Sequence, residues 1–343
     1  MNHIETIIIG AGPIGLETAI GLKKRGMPYL HFDAGAVGQQ VLDFPAQSRW
    51  FSSPERLSIA GVPFVTASHE KGTREEYLAY LRSVIGLHAI SVRTYERVQE
   101  IGARLSGGFE LLTRTRSGLE HRFSCDRLVI ATGGTARPRR LGIPGEDLPH
   151  VSHVLREPHC AHGRRVLVVG GRNSACDSAL RAFRCGADVT MSYRGDDLHE
   201  RVKYWVRPEL SAMIRSGQVT AHFNTVPRLI EPDRVHLCGL NDGREIEVAV
   251  DDVLLEIGFE ADNSLFAGLG AELDEVQQAV VHDPETMETT VPGLFVAGTA
   301  VAGTQHRFKV YIENSHVHAH RIVAAFAGEA PPPDPVLPIL PES

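Results

Sequence analysis

The stretch Ile7-Ile8-Ile9-Gly10-Ala11-Gly12-Pro13-Ile14-Gly15 decides how the rest of the chain is read. Its apolar run contains no turn residue and reads as a buried parallel strand, and the Gly-x-Gly-x-x-Gly that follows reads as the turn into a helix. Gly10 permits the tight turn, Gly12 lets the backbone approach a pyrophosphate, and Gly15 lets helix and strand pack closely while the first helical amides face the anion. Glycine is common in loops, so context has to carry the motif. Here Leu16, Ala19 and Ile20 follow at helical spacing and Gly26 ends the helix after Lys23-Lys24-Arg25. A second strand, Tyr29-Leu30-His31-Phe32, then stops at Asp33, a carboxylate where the ribose of a dinucleotide offers its hydroxyls.

Working outward, the 343 residues are too many for one ordinary core and predict two domains, and 43% apolar with 22% charged residues is a soluble globular composition. A net charge of −7 argues against a general nucleic-acid binder. No run approaches the roughly 18 apolar residues of a membrane span, and the start lacks the features of a signal peptide, so a cytoplasmic protein without a membrane partner is expected. The five cysteines, Cys125, Cys160, Cys176, Cys185 and Cys238, are scattered and include no Cys-x-x-Cys, which fits reduced thiols better than a disulfide framework.

Residues 50–64 mix large apolar residues with turn residues and read as an ordered loop bordering the ligand. Residues 73–85 read as an amphipathic helix opened by the capping box Thr73-Arg74-Glu75-Glu76. Residues 90–98, 109–114 and 121–123 read as strands of a small sheet, and Leu128-Val129-Ile130-Ala131-Thr132-Gly133-Gly134 as one more strand running into glycine. Residues 137–149, broken by Pro138, Gly142, Pro144, Gly145 and Pro149, mark the domain boundary.

Beyond it the opening pattern repeats in Val166-Leu167-Val168-Val169-Gly170-Gly171-Arg172-Asn173-Ser174-Ala175. Gly10 to Gly26 spans 16 positions, as does Gly170 to Gly186, and Gly10 to Asp33 spans 23, as does Gly170 to Tyr193. Two cradles imply two dinucleotides. At the position of the ribose acid the second cradle has Tyr193, followed by Arg194, which can pair with a 2′-phosphate that a carboxylate would repel. NADPH is therefore expected there rather than NADH, with Arg201 or Lys203 as a further positive charge; Arg172, at the middle glycine, makes the turn imperfect. Residues 219–257 are β-rich, residues 289–299 form a last strand ending in glycine, and a helix carries Ile312, His316, Ala319 and Ile322 ahead of a proline-rich tail.

Two cradles, Ala131-Thr132-Gly133 between them and a late Phe295-Val296-Ala297-Gly298 resemble the two-dinucleotide flavoproteins of the thioredoxin reductase type, over about residues 4–325. The resemblance implies an α/β fold with two Rossmann-like dinucleotide-binding domains: a discontinuous FAD domain, 1–140 and 260–343, and an NADPH domain, 141–259. It implies FAD at Gly10, Gly12, Pro13, Ile14, Gly15, Asp33, Val98, Thr132, Gly133, Gly298 and Thr299. For NADPH it implies Gly170, Gly171, Arg172, Asn173, Ser174, Ala175, Arg194 and Lys203. It also implies a hinge between the domains. More specifically, Phe51-Ser52-Ser53, Leu57-Ser58-Ile59, Val62-Pro63-Phe64, Gly170-Gly171-Arg172-Asn173-Ser174-Ala175, Tyr193-Arg194-Gly195 and Tyr311-Ile312-Glu313-Asn314 resemble the bacillithiol disulfide reductases. That family accounts for Arg172 in the second turn and for Thr299 where most relatives place an aspartate.

One departure bears on the chemistry. The resemblance puts a redox cysteine inside the first glycine motif, where this chain has Ile14. The candidate thiols left are Cys160, ahead of the second cradle, and Cys176, at a helix start that can lower its pKa. His306 or His316 is a candidate proton donor to a leaving thiolate. His316, His318 and His320 cannot grip one ion, because helical spacing sets His318 nearly opposite the other two, so no metal is expected. Three readings stand open: reduction of a low-molecular-weight thiol disulfide by NADPH through FAD, a ferredoxin or flavodoxin reductase lacking the cysteine pair, and a non-catalytic nucleotide sensor. Partners are accordingly a small disulfide or a small electron-carrier protein, with a homo-oligomer expected.

Overall fold

The computed structural model describes residues 2–305 and 309–333, which divide into two compact units. One comprises the residues up to Asp43, Gln47–Arg137 and those from Phe259 onward; the other comprises Phe44–Ala46 and Pro138–Gly258.

The first unit is built on a six-stranded sheet in the order Tyr29–Phe32, Asn2–Ile9, Glu120–Ile130, Phe109–Thr115, Glu96–Ala103, with Leu294–Val296 also paired to Glu120–Ile130. The apolar opening run is a parallel strand between two others: Ile7 pairs with Leu30 on one side and Leu128 on the other. It is buried on both faces, which is why it lacks the alternation of a half-exposed strand. Ile7, Ile8, Leu16, Phe32, Leu128 and Val296 join one core in which none is exposed by more than 1%.

The strands expected within residues 90–123 belong to this same six-stranded sheet. Glu120–Ile130 is a single 11-residue strand whose residues 120–125 pair antiparallel with Phe109–Thr115 and whose residues 123–130 run parallel along Asn2–Ile9 on the other side. Asp126-Arg127 lies between the two strands expected at residues 121–123 and 128–134, but Arg127 is tied to Glu5 at 2.9 Å and lies over the Phe326 ring, so the polar pair passes through without a turn. Residues 90–95 are not strand; Tyr95 has φ +55°, and the edge strand begins at Glu96. The helix expected at residues 73–85 is Arg74–His88, with the capping box in place: the Glu76 amide donates to Thr73 Oγ1 at 3.2 Å and the Thr73 amide to Glu76 Oε2 at 2.7 Å. The helix expected to carry Ile312 is interrupted. A 3-10 turn, Ile312–Asn314, precedes the helix His316–Ala327, because Asn314 turns back to accept the Tyr311 amide at 2.8 Å.

The second unit repeats the plan with a fully parallel five-stranded sheet, Thr220–Phe223, Asp188–Tyr193, Arg165–Val169, Asp252–Leu255, Val151–Ser152, and adds an antiparallel three-stranded sheet spanning residues 225–249. The helices after the two glycine turns, Pro13–Lys24 and Asn173–Arg184, have equal lengths of 12 residues. Gly26 and Gly186 stop them with φ +69° and +89°, a conformation that costs glycine nothing.

Candidate cofactor cradles and active site

The first cradle is shaped by close backbone approach. At Gly10, φ +105°, an added Cβ would lie 2.4 Å from the Ala131 carbonyl oxygen, and at Gly15 it would lie 2.0 Å from that of Gly10. At Gly12 it would meet nothing. The helix begins there with Pro13 in its first turn, no side-chain cap and no acid, so its positive end is left uncompensated toward open space. These residues fit a pyrophosphate. Asp33 stands at the rim, where its Oδ2 accepts the Ala11 amide at 2.7 Å and its Oδ1 the Gly35 amide at 2.8 Å. Burial raises its pKa against those two amides, and each oxygen keeps a lone pair for a hydroxyl donor. Val98 pairs with Thr113 in the edge strand, whose first amide, of Glu96, donates to the Asp33 carbonyl at 3.0 Å.

The opposite wall gathers Ile14, residues 132–134, Gly298 and Thr299. Gly298 has φ +70°, and its added Cβ would sit 3.3 Å from the Ile14 Cβ. Thr299 Oγ1 accepts the Gly134 amide at 3.1 Å. Gln40 completes this wall: its Nε2 donates to the Thr132 carbonyl at 2.6 Å, its Oε1 accepts the Thr135 hydroxyl at 3.0 Å, and it packs against Gly133 where a Cβ would collide with it. Nothing in the unpatterned Gly38-Gln39-Gln40 singles Gln40 out.

The second cradle keeps the same close approach, since an added Cβ at Gly170 would lie 2.6 Å from the Glu256 carbonyl oxygen. Arg172 does not spoil the turn. It is the N-cap, in extended backbone at φ −101°, and the helix Asn173–Arg184 again lacks a side-chain cap and a first-turn acid. Tyr193 lies over Gly171, where only a glycine leaves room for its ring. Asn173 spends its side chain on residues 201–203, donating to the Arg201 carbonyl at 3.4 Å and accepting the Lys203 amide at 2.9 Å. Ser174 is exposed and Ala175 buried, and the Lys203 ammonium stands 5.8 Å from the Trp205 ring centroid. Arg172, Arg194 and Arg201 act together on His199, whose pKa is lowered by burial first and by these cations next. Three guanidinium groups thus act on a residue held against a turn whose own amides already favour an anion, which fits a phosphate-bearing nucleotide.

A buried polar cluster in the first unit joins segments far apart in sequence. Glu17, 5% exposed, receives the Ala60 amide at 2.9 Å and His316 Nδ1 at 2.7 Å, with His320 Nε2 3.4 Å away. His316 Nε2 lies 3.1 Å from the Arg56 carbonyl, and the Arg56 guanidinium pairs with Glu313 at 3.4 Å. A carbonyl only accepts, so Nε2 carries a proton; a carboxylate also accepts, so Nδ1 carries one too, and His316 is an imidazolium. Burial alone would raise the Glu17 pKa, yet the hydrogen bonds from His316, His320 and Ala60 outweigh it and hold the carboxyl down at about 2. Burial likewise opposes the charge on His316, and Glu17 overcomes it, so the His316 pKa is raised. Sequence reasoning missed Glu17; the signal was one acid inside the otherwise apolar Gly15-Leu16-Glu17-Thr18-Ala19-Ile20.

The cysteines divide. Cys176 is fully buried, and burial, then the charges of Glu256 and Asp177, push its thiol up to about 12. The expected lowering by the helix start is overturned because desolvation of the thiolate exceeds what a helix dipole returns. Cys160 is exposed in the 3-10 turn Pro158–Ala161. His306 lies outside the described residues. Among the described residues no group of three or more histidine, cysteine, aspartate or glutamate side chains is arranged to hold a metal ion, and no helix is long and apolar enough to cross a membrane.

Comparison with known proteins agrees with this geometry. The family described as pyridine nucleotide-disulphide oxidoreductase matches residues 7–298. Bacilliredoxin reductase Bdr of Bacillus subtilis (strain 168) is 34% identical over 328 residues, covering 95% of this chain and 98% of its own. The solved structure of bacillithiol disulfide reductase Bdr from Bacillus cereus is 32% identical with a TM-score of 0.90, covering 95% of this chain and 99% of its own. A ferredoxin–NADP reductase of Ignicoccus hospitalis is 29% identical over 300 residues, covering 86% of this chain and 89% of its own.

Proposed function

We propose that this chain, which belongs to the pyridine nucleotide-disulphide oxidoreductase family, uses NADPH to reduce the disulfide of a low-molecular-weight thiol of the bacillithiol type. As a member of that family it is a flavoprotein oxidoreductase with FAD and NADPH as cofactors. When bound, FAD supplies two-electron exchange between a nicotinamide and an acceptor. The chain's own residues bind and orient. In our reading Gly12 and the helix start at Pro13 take the flavin nucleotide's pyrophosphate and Asp33 its ribose, while Ile14, Gly298 and Thr299 form the wall beside it. Gly171, Arg172 and the helix start at Asn173 take the pyrophosphate of NADPH, and Arg194 its 2′-phosphate. Residues 1–140 with 260–343 then serve FAD, and 141–259 serve NADPH.

One observation carries the choice of acceptor. The segments that resemble the bacillithiol disulfide reductases, residues 51–64 and 311–314, meet through Arg56–Glu313 and through His316 around Glu17, on the same helix as Ile14. Parts distinctive in sequence thus converge at one place. A second reading, transfer to ferredoxin or flavodoxin, is favoured by Ile14, which holds no thiol, and by Cys176, whose buried thiol is a poor nucleophile. We also propose a cytoplasmic homo-oligomer, which light scattering after size-exclusion chromatography tests.

The deciding experiment is an anaerobic titration with NADPH while following flavin absorbance, with bacillithiol disulfide or oxidised ferredoxin then added separately. Bleaching reversed by the disulfide is expected. Reversal by ferredoxin alone replaces the first reading with the second, and no bleaching leaves a nucleotide-binding protein without this chemistry.

A further inference from the structure

The residues after Arg194 fold back over the second glycine turn and bring to it a side chain that no expectation included. The His199 amide donates to the Gly171 carbonyl at 3.0 Å, and Asn173 clamps the continuing chain at Arg201 and Lys203. His199 is thereby fixed at both ends against the turn it covers. Its ring is fixed as well, because the Arg201 amide donates to Nδ1 at 3.2 Å. A ring nitrogen that accepts an N–H carries no proton, so the tautomer assigned from this contact has its hydrogen on Nε2. Burial, followed by Arg172, with Arg201 and Arg194 adding to it and Glu200 alone opposing, lowers the pKa and keeps the imidazole neutral at pH 7. Asp197, the next acid along, is paired with Arg207 at 2.8 Å.

We propose that His199 is a specificity-determining residue of the second cradle, donating Nε2–H to the 2′-phosphate of NADPH beside Arg172, Arg194 and Arg201. The assignment rests on reading this cradle as the NADPH site. Its physical logic is that three guanidinium groups already supply the charge a phosphate needs. A fourth cation there would be costly when the site is empty, whereas a neutral, partly buried donor adds a hydrogen bond to the phosphate without that repulsion. NADH offers a hydroxyl at the same place, to which a neutral donor bonds more weakly, so the residue discriminates rather than merely binds.

The test is equilibrium binding of NADP+ and NAD+ to the flavin-loaded enzyme by calorimetry, for the wild type, His199→Asn and His199→Gln. An asparagine oxygen can replace Nδ1 as acceptor for the Arg201 amide but reaches no farther, while a glutamine amide can replace the Nε2 donor. We expect His199→Asn to weaken NADP+ by about 10-fold, one hydrogen bond to a charged group, and to leave NAD+ unchanged, with His199→Gln recovering most of the loss. If His199→Asn leaves the ratio of the two affinities as in the wild type, whether both fall together or neither moves, His199 only holds its loop and the proposal is overturned. NADP+ failing to bind the wild type removes the NADPH reading of the cradle and this assignment with it; that outcome is distinct from the first.

Discussion

His316 Nδ1 lies 2.7 Å from Glu17 Oε2, joining the first residue of the last helix to the helix of the first glycine turn across 299 residues of sequence. The pair is the node through which residues 56–60 and 313–320 are fixed to the FAD cradle helix. Glu17→Gln keeps an acceptor for the Ala60 amide but leaves the His316 imidazolium without its counter-charge. A loss of roughly 3–4 kcal/mol in unfolding free energy is expected, the lower part of the range for breaking a buried pair because His316 keeps some exposure. His316→Gln should cost a comparable amount, and the double variant less than the two together. Urea denaturation of the three variants measures this; strict additivity would show that the two side chains do not act as a pair.

The same pair predicts a pH window. His316 has a raised pKa, so its contribution is complete below about 6.5 and fades as pH climbs through the higher folded value. Glu17 has its pKa lowered to about 2, so its contribution is complete above about 4.5 and fades as pH falls toward 2. Both hold between about 4.5 and 6.5, and the stability difference between wild type and the Glu17→Gln, His316→Gln double variant should be largest there. A difference that is flat from pH 4 to 9 would contradict the ionised pairing.

Asp33 ties the two amides of Ala11 and Gly35 while facing the cradle rim. Asp33→Ala should weaken FAD by about 10–100-fold, the range for losing hydrogen bonds to a charged group, with the apoprotein still folded. Flavin retention after dialysis against KBr reports it. Unchanged affinity would remove Asp33 from ribose binding.

Arg194, exposed beyond Tyr193, should lower the preference for NADPH over NADH by about 10–100-fold when changed to alanine, with KM for NADPH moving and that for NADH held. Steady-state kinetics with both nucleotides decides it, and an unaltered ratio would place the 2′-phosphate elsewhere.

Thiol labelling separates the cysteines. The exposed Cys160 should react with an aromatic disulfide reagent within minutes in the native protein, whereas Cys176, buried and pushed up to about 12, should stay unmodified until urea unfolds the chain. Cys176→Ser should therefore leave disulfide turnover within about twofold of wild type, since the buried thiol supplies almost no thiolate near pH 7. Rapid native labelling of Cys176 would reopen its redox role.

The sequence by itself determined the two cradles. A buried parallel strand, a glycine turn and a helix are local in their causes: an uninterrupted apolar run, glycines where the backbone must crowd or turn left-handed, and a stop at Gly26 and Gly186. The capping box at Thr73 was legible for the same reason, since both partners lie within four residues. Tertiary structure alone decided the rest. That residues 120–130 form one strand serving both halves of a sheet depends on which neighbours pair with it, and no local period records a change of partner. The raised pKa of Cys176 was set beyond the local sequence, because the dipole of its helix is a local quantity, whereas its desolvation depends on everything packed around it. Gln40, Glu17 and His199 carry no motif. Each acquires its role from a partner 92, 299 or 28 positions away, and only folding brings such side chains within hydrogen-bonding distance.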